Sequence, residues 1–358
     1  MAQNQGKCTK KVAYSIVFVT FAKSFIRQWL LPVCMGELRN IEEPVAKELK
    51  LFETEFAASL RSATPYLQKA IDVILQNNGK HIRPLLVLLT AKACGNATKQ
   101  SADAAVLLEL LHTATLIHDD VVDETKQRRG APSLNAIFDN RIAVLVGDYV
   151  LSTALVRSIQ TGDMRIVNII SRLGRELSEG ELKQLEVAEE IILDERAYLD
   201  VIRKKTATLL SACTEMGAIS SDASDEIINL CQEFGEYMGY CFQIKDDIFD
   251  YDLGSDIGKP TGNDIKEGKV TLPLLHALAT GKKESVEKAR QIIENKDFTG
   301  ENIQFLISFA KESGGIEYAE KRMKEYHTKV IDLLNKLPES EARNSLHQLA
   351  DYIINRKK

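Results

Sequence analysis

Turn-forming residues are scarce in this sequence. Its 358 residues include 20 glycines and 8 prolines, which is about 8% together where average usage would give roughly 12%. No proline lies between Pro132 and Pro260, although a β-sandwich or a doubly wound sheet needs turns more often than that. The scarcity of turn residues therefore favours an all-helical chain.

Cysteine motifs are also lacking. The six cysteines are widely spaced and form no C-x-x-C pair, which argues against a zinc site and against a disulfide framework. They are Cys8, Cys34, Cys94, Cys213, Cys231 and Cys241. We therefore expect reduced, buried thiols and a cytoplasmic protein.

The chain has no excess of positive charge. Lysine and arginine number 46 against 51 aspartates and glutamates, a formal net charge of −5. An extended basic face for nucleic acid is therefore not expected. With 44% hydrophobic and 27% charged residues, the composition is that of a globular protein and excludes a disordered or fibrous chain.

The N-terminus differs in composition from the rest of the chain. An apolar run at Val12–Ala22 follows three lysines but ends at Lys23, short of the ~20 residues that span a membrane. No A-x-A-like cleavage site follows it. We interpret 1–34 as an N-terminal extension or a start-site artefact, with a membrane anchor as the alternative, and 35–358 as the functional domain.

One large helical domain is predicted from about residue 40 onward, because no linker or low-complexity tract divides it. The stretch Ala104–His118 is apolar on nearly every face, which predicts a helix in the centre of the molecule. Apolar spacing and helix breakers predict helices at about 42–76, 81–95, 99–123, 135–159, 163–188, 194–219, 223–252, 270–280, 284–295, 301–313, 315–336 and 339–355.

Two acidic clusters share the spacing D-D-x-x-D at the ends of apolar stretches. They are Asp119, Asp120 and Asp123, and Asp246, Asp247 and Asp250. A single acidic triplet is typical of a solvated helix end. Carboxylates there oppose the helix dipole and repel one another by about 4 kcal/mol at 4 Å. A bound cation relieves both penalties, so the recurrence predicts a metal site, and oxygen ligands with substrate phosphates suit Mg²⁺.

Four basic clusters accompany the acidic ones, as a phosphorylated ligand requires. They are Lys80 with Arg83, Arg128 with Arg129, Lys204 with Lys205, and Lys259 with Lys269. Each pair alone is typical of a solvated surface. Their association with two acidic clusters favours a diphosphate-binding site.

The motifs together resemble a known family, the trans-isoprenyl diphosphate synthases or polyprenyl synthetases, in the long-chain, octaprenyl-diphosphate-synthase-like type. The resemblance runs from about residue 40 to the C-terminus and rests on GKHIRP, LLHTATLIHDDVVDE, RRGAPS, GDY, KKTATLL and FQIKDDIFDY with GKPTGNDIKEGKVTLP. It implies the isoprenoid synthase fold, a bundle of long antiparallel helices around a deep central cavity. It also implies a homodimer.

The resemblance further implies a role for individual residues. Three Mg²⁺ ions are expected on Asp119, Asp120, Asp123, Asp246, Asp247 and Asp250. The expected ligands of the allylic diphosphate primer are Arg128, Lys205, Lys259 and Lys269. Those of isopentenyl diphosphate are Lys80, Arg83, His112 and Arg129. The residues expected to act at the reacting carbons are Lys205, Thr206 and Gln243.

Product length is predicted from the residues that precede the first acidic cluster. In the family a bulky aromatic four or five residues before the first aspartate closes the cavity early, whereas here those positions are Thr115 and Ala114, with Leu111 further along. We therefore expect a long product of octaprenyl class, a precursor of quinone side chains. We also expect a peripheral membrane contact for release of so apolar a product. A short-chain farnesyl or geranylgeranyl synthase is the alternative.

Three other functions are weaker interpretations. A terpene cyclase would carry a second metal motif of the N-D-x-x-S-x-x-x-E kind and would not need the pocket of Lys80 and Arg83. A non-catalytic regulatory subunit of a synthase would be expected to lose acidic or basic ligands, which this chain keeps. A purely structural bundle explains none of the paired charge clusters.

Overall fold

The computed structural model describes residues 39–76, 81–128, 130–251 and 262–357. The chain divides into two units, Met1–Glu43 and Pro44–Lys358. Of the first unit the structure describes residues 39–43, which are helical over 39–42, and a 3₁₀ turn at Glu43–Val45 follows. The predicted boundary between residues 34 and 35 lies outside the described residues and stays a prediction.

The second unit is built from helices. Those of its first half are α1 (Ala46–Ser59), α2 (Pro65–Gln76), α3 (Ile82–Cys94), α4 (Lys99–Val122), α5 (Leu134–Phe138), α6 (Asn140–Gln160) and α7 (Met164–Glu189). Those of its second half are α8 (Glu195–Ile202), α9 (Thr208–Ile219), α10 (Asp225–Asp250), α11 (Asn263–Lys266), α12 (Leu272–Thr280), α13 (Lys283–Glu294), α14 (Gly300–Glu312), α15 (Gly315–Leu334) and α16 (Glu341–Asn355). A π-helical turn at Arg203–Ala207 joins α8 to α9. The all-α prediction is confirmed.

Three predicted helices are interrupted. The helix predicted at 42–76 ends at Ser59, and Pro65 starts a new one, because proline is favoured in a first helical turn. The helix predicted at 135–159 breaks at Asp139, whose φ is 100° and whose carboxylate caps α6 by accepting from the N–H of Ile142 at 3.0 Å. The π turn divides the helix predicted at 194–219.

A small β-hairpin follows α4. Its strands are β1 (Gln127–Arg128) and β2 (Ala131–Pro132), paired antiparallel with Arg128 opposite Ala131. The sequence analysis did not predict it, because two-residue strands carry no period-2 pattern. Its consequence is to place Arg128 beside the end of α4.

The main core is formed by α3, α4 and α9. Every residue of α9 from Leu209 to Ile219 is buried, as is every residue of α3 from Pro84 to Ala91. Close approach of the two helices requires a glycine, since a Cβ at Gly217 would lie 2.6 Å from the Val87 carbonyl oxygen. The predicted central helix at Ala104–His118 is confirmed as α4, which is buried from Ala104 to His112.

A second hydrophobic cluster supports the segment after the second acidic cluster. It joins α11 to α14 through residues such as Ile265, Leu274 and Phe309, and includes the buried ring of Tyr251 just after α10. The Tyr251 hydroxyl is hydrogen-bonded to the Thr271 Oγ1 at 2.9 Å. The start of α12 is thereby tied to the end of α10.

Helix α6 packs on α4 but leaves much of its apolar surface exposed. Within the described ranges it is the one helix long and apolar enough to cross a bilayer by composition, and a third of its most apolar window is buried in the fold. Leu145 and Ile159 of this helix are 63% and 68% exposed. Gly147 faces α4, where a Cβ would lie 2.3 Å from the Nε2 of His118.

Candidate functional site

The end of α4 presents the first acidic cluster. Asp119 and Asp123 are one helical turn apart, and the N–H of Asp123 donates to the Asp119 carbonyl at 2.8 Å. Burial raises the pKa of Asp119 to about 6, and the nearby carboxylates of Glu181 and Asp123 add to the rise. This site therefore holds more negative charge than its surroundings neutralise.

Asp120 forms an ion pair with Arg128. Its buried carboxylate accepts from Arg128 on the hairpin, with Oδ1 at 2.8 Å from Nε and 2.7 Å from Nη2. Its backbone carbonyl accepts from the Asn135 Nδ2 at 2.9 Å. The pair places Arg128 at the predicted site and gives Asp120 a positively charged partner at this helix end.

Asp247 is the most deeply buried aspartate of the second cluster, at 3% exposure. Its Oδ2 accepts from the Tyr198 hydroxyl at 2.7 Å, and its Oδ1 accepts from the Gln243 Nε2 at 2.8 Å. The Gln243 Oε1 in turn accepts from the Thr206 hydroxyl at 2.7 Å. Burial, followed by the charge of Asp264, raises the pKa of Asp247 to about 7.

Thr206 and Gln243, both predicted at the reacting carbons, are thus joined in one hydrogen-bonded chain. Tyr198 of α8 is a member of this chain that the sequence analysis missed. A tyrosine seven residues before Lys205 gives no local signal, because its partner Asp247 lies 49 residues away in the chain.

Asp250 anchors the segment that follows α10. Its Oδ1 accepts from the N–H of Asn263 at 3.1 Å and its Oδ2 from that of Asp264 at 3.0 Å. Burial, then the charge of Asp250, raises the pKa of Asp264 to about 6. Asp264 is a further site carboxylate that the sequence analysis missed, and its sole signal was its place in the motif GKPTGNDIKEGK.

Asp246 is paired with the C-terminal segment. Its Oδ1 accepts from the Arg356 Nη2 at 2.6 Å, and the same nitrogen donates to the Phe242 carbonyl at 3.0 Å. The guanidinium lies over the Phe242 ring, 4.0 Å from its centroid. Nothing in the sequence indicated this contact, since an arginine after a last helix is typical of a solvated terminus.

The π-helical turn places Lys205 and Thr206. Two glycines allow α7 and α10 to approach it: a Cβ at Gly239 would lie 2.3 Å from the Ala207 Cα, and one at Gly180 would lie 2.9 Å from the Lys204 Cβ. The Lys205 Nζ lies 2.6 Å from the Glu181 Oε1. Single π turns inside helices are frequent at functional sites because they turn a side chain out of its regular register.

Lys269 interacts with carboxylates from two different segments of the chain. Its Nζ lies 2.5 Å from the Glu267 Oε2. Burial on its own would lower the pKa of this lysine, but the hydrogen bond to Glu267 and the charges of Asp264 and Asp123 outweigh burial and raise it. The end of α4 and the segment after α10 therefore lie within electrostatic range of one lysine.

Two of the residues predicted to bind isopentenyl diphosphate, Arg83 and His112, lie among the described residues. Arg83 lies in the first turn of α3, and His112 is buried on α4, seven residues and ~10.5 Å along the helix before Asp119. The Oε1 of the buried Glu109 lies 3.8 Å from the His81 Nδ1. The sequence did not predict that Glu109 belongs to this part of the site. Outside the described residues lie three predicted ligands, Lys80, Arg129 and Lys259.

A cavity of about 480 Å³ opens beside the second cluster. Its lining includes the polar residues Lys205, Gln243 and Asp247 together with apolar side chains such as Ile192 and Phe298. None of the predicted chain-length residues lines this cavity. Ala114 and Leu111 are each 1% exposed on α4, Thr115 is half-buried, and their role stays a prediction.

The carboxylates fit a divalent cation by their chemistry. No three acidic, histidine or cysteine side chains in the described ranges already converge as a metal-binding group. The donors are nevertheless all oxygens, and burial and mutual repulsion raise the pKa of Asp119, Asp247 and Asp264. A hard cation such as Mg²⁺, which retains waters and binds phosphate oxygens, suits such a set.

The chain is similar to proteins of known activity. The polyprenyl synthetase family profile matches residues 64–309. Octaprenyl diphosphate synthase of Haemophilus influenzae is 34% identical over 323 residues, which are 90% of this chain and 97% of that protein.

Solved structures share the fold. Geranylgeranyl pyrophosphate synthase of Bacteroides thetaiotaomicron superposes with a TM-score of 0.78 at 42% identity, covering 90% of this chain and 100% of that one. Polyprenyl synthase of Caulobacter crescentus, complexed with calcium and isoprenyl diphosphate, gives a TM-score of 0.83 at 28% identity over 89% and 98% of the two chains. All-α synthases of short and long products are therefore both similar to this chain.

Proposed function

Since this chain belongs to the polyprenyl synthetase family and is a prenyl diphosphate synthase, we propose that it makes a long-chain all-trans polyprenyl diphosphate. The substrates are an allylic diphosphate primer and successive molecules of isopentenyl diphosphate. The observation that carries the chemistry is that Lys269 lies within electrostatic range of Asp123 at the end of α4 and of Asp264 in the segment that Asp250 anchors after α10. A diphosphate with its metal ions requires both signs of charge at one place.

The residues that would hold Mg²⁺ are Asp119, Asp120, Asp123, Asp246, Asp247 and Asp250, with Asp264 beside them. When bound, Mg²⁺ supplies positive charge that stabilises the departing diphosphate. Three ions per site are part of the proposal. The calcium complex of the Caulobacter crescentus protein supports a divalent cation at this kind of site.

Lys205 and Lys269 stabilise negative charge as the allylic C–O bond breaks. Each is held by a glutamate, Glu181 for Lys205 and Glu267 for Lys269, so neither needs to reorganise during the reaction. The double bond of isopentenyl diphosphate then attacks the allylic carbocation, and the new C–C bond forms. The proton lost afterwards passes to the departing diphosphate, so no separate general base is needed.

Thr206 and Gln243 face the cavity beside Lys205. Their oxygens are fixed by the hydrogen-bonded chain that ends at Asp247 and Tyr198. Fixed dipoles of this kind stabilise a developing carbocation without rearrangement. Arg83 and His112, with Lys80 and Arg129, are the proposed site of isopentenyl diphosphate, whose orientation supplies part of the rate.

A product of octaprenyl class is the proposed chain length. Support comes from the small side chains of Ala114 and Thr115 before the first cluster and from the octaprenyl diphosphate synthase among the relatives. Such a product would serve as a quinone side-chain precursor. A short product is the second candidate, because the geranylgeranyl synthase of Bacteroides thetaiotaomicron has the higher identity, 42%.

A homodimer is the proposed assembly, formed through the exposed apolar face of α6 and α7. Leu145 and Ile159 of α6 and Leu182 of α7 are large apolar side chains that are each more than 60% exposed. Large exposed apolar patches mark contact surfaces, and a second copy would bury this one. A cytoplasmic location and a peripheral membrane contact during product release are further parts of the proposal.

Diphosphate release by the purified chain tests the enzymatic function. With an allylic diphosphate, isopentenyl diphosphate and Mg²⁺ we expect release, and with a chelator in place of Mg²⁺ we expect none. A chain that binds both substrates but releases no diphosphate with Mg²⁺ would instead be a non-catalytic subunit. Asp119→Asn is the matched variant, since it keeps the shape of the side chain and removes its charge.

A further inference from the structure

Two cysteines from distant parts of the chain meet at one end of the helical bundle. Cys94 is the last residue of α3 and Cys231 lies in the second turn of α10, 137 residues later. Their Sγ atoms are 3.5 Å apart. Cys94 is partly exposed, whereas Cys231 is fully buried.

The separation is short enough for a bond with little movement. A disulfide requires sulfur atoms about 2.05 Å apart, so the two Sγ atoms need to approach by ~1.5 Å. Cys94 is partly exposed and is the last residue of α3, where the chain leaves the helix at Gly95. Cys231 is held more firmly, since its carbonyl accepts from the buried Thr214 hydroxyl at 2.6 Å.

The two thiols differ in their environments, and the difference indicates which of them reacts first with an oxidant. The hydrogen bond between the two thiols lowers the pKa of Cys94, and burial opposes this lowering only in part. The same hydrogen bond, together with burial, raises the pKa of Cys231. Because the thiolate is the form that reacts with oxidants, Cys94 is the thiol that reacts first.

The other described cysteines provide a contrast. Cys213 and Cys241 are buried in the core, and burial raises the pKa of each to about 12. The Cys241 thiol donates to the Met323 carbonyl at 3.4 Å. Neither combines exposure with a neighbouring thiol in the way that Cys94 does.

We propose that Cys94 and Cys231 form a reversible redox modification site that fastens α3 to α10 when it is oxidised by a peroxide. The Cys94 sulfur attacks the peroxide, an S–O bond forms, the O–O bond breaks, and water leaves. The Cys231 sulfur then attacks the resulting sulfenic acid, the S–S bond forms, the S–O bond breaks, and a second water carries away the Cys231 proton. Two thiols lose two electrons, and one hydrogen peroxide gains them.

The end of the bundle that holds Cys94 and Cys231 is remote from the second acidic cluster and from Arg83. Cys231 precedes Asp246 by fifteen residues of one helix, or ~22 Å, and Cys94 follows Arg83 by eleven residues, or ~16 Å. The bond would therefore tie together the helices that carry the second acidic cluster and Arg83 without touching either. Closing a loop of 137 residues restrains the unfolded chain and raises thermal stability.

Peptide mass spectrometry of the full-length protein after mild hydrogen peroxide tests the proposal. We expect a Cys94–Cys231 linked peptide, lost on treatment with dithiothreitol, and a rise in Tm of several degrees that dithiothreitol also reverses. The linked peptide should be absent from Cys94→Ser and present in Cys213→Ser, the matched control. A folded protein that keeps both thiols free under this treatment would overturn the proposal.

A trapping experiment tests the order of reaction independently. In Cys231→Ser the Cys94 sulfenic acid has no thiol to attack it, so dimedone should label Cys94 at the peroxide dose that links the wild-type pair. Labelling of Cys213 or Cys241 at the same rate, or a wild-type disulfide from Cys94 to Cys8 or Cys34, contradicts the assignment. The wild-type measurement stands even if this variant folds poorly.

Discussion

The hydroxyl of Tyr198 donates a 2.7 Å hydrogen bond to the Oδ2 of Asp247, and both side chains are buried. The bond fixes the orientation of a carboxylate whose other oxygen accepts from Gln243. Tyr198 is thus a positioning residue: it acts through Asp247 and Gln243 on the polar groups that face the cavity.

Replacement of Tyr198 by phenylalanine removes this bond and keeps the ring. A hydrogen bond to a charged group contributes about 1.5–3 kcal/mol, so we expect kcat to fall about tenfold and the Mg²⁺ concentration for half-maximal activity to rise severalfold. Steady-state kinetics over a Mg²⁺ series measure both. Tyr251→Phe is the control, because it removes a buried hydroxyl whose hydrogen bond is to the Thr271 Oγ1. Equal Mg²⁺ dependence in the two variants would contradict the positioning role.

Asp247 should make the metal-free protein less stable as pH rises. Its pKa is raised to about 7 from the ordinary 3.8, so between these values the folded state holds a proton that the unfolded state releases. The free energy of unfolding therefore falls as pH increases from about 4 to about 7, by on the order of 3 kcal/mol for this group.

Denaturant unfolding at pH 5 and pH 8 without metal measures this dependence. Other groups titrate in the same range, so the informative quantity is the difference between the wild type and Asp247→Asn, which resembles the protonated side chain. We expect the variant to lose less stability between the two pH values. An identical loss in both proteins would show that Asp247 is not perturbed in this way.

A bulky side chain at Ala114 should shorten the product. Ala114 is 1% exposed on α4, five residues before Asp119, and Ala114→Tyr would introduce an aromatic ring at a position from which the product length was predicted. Each helical turn blocked removes about 5.4 Å of depth. Chromatography of the products should show a shift to fewer isoprene units.

Leu111→Ala is the matched change in the opposite direction on the same helix. It removes bulk one turn further from the acidic cluster, so its product should be as long as that of the wild type or longer. Circular dichroism checks that both variants fold, because an extra ring in a packed core costs about 1–3 kcal/mol. If Ala114→Tyr folds and the product length stays unchanged, α4 does not line the elongation path.

Charge on the exposed face of α6 should separate the proposed dimer. Leu145→Glu with Ile159→Glu places two carboxylates on positions that are 63% and 68% exposed, and burying them against a second copy would require desolvation. Light scattering after size exclusion should give a dimer for the wild type and a monomer for the variant. Leu51→Glu, at an exposed leucine of α1, is the control and should remain dimeric.

The helices and the two acidic clusters were predictable because their signals are local. Helical periodicity and the D-D-x-x-D spacing place side chains on one face within a turn or two. Tyr198 and Arg356 were not predictable, because they lie 49 and 110 residues from Asp247 and Asp246. The break at Asp139 was missed for a different reason, since a non-glycine residue with a positive φ gives little warning in sequence.

The contact between Cys94 and Cys231 was also not predictable, because the two residues lie 137 positions apart in the chain. The six cysteines form no local pattern along the chain. The contact arises because α3 and α10 meet at one end of the bundle. Short-range patterns predict elements and clusters on one helix, whereas contacts between helices depend on packing.

Product chromatography tests the central claim most directly. The purified chain is incubated with farnesyl diphosphate, labelled isopentenyl diphosphate and Mg²⁺, and the labelled products are separated by length after removal of the diphosphate. We expect products of octaprenyl class to dominate and no product to form without Mg²⁺. A dominant geranylgeranyl product would contradict the assignment of a long-chain synthase.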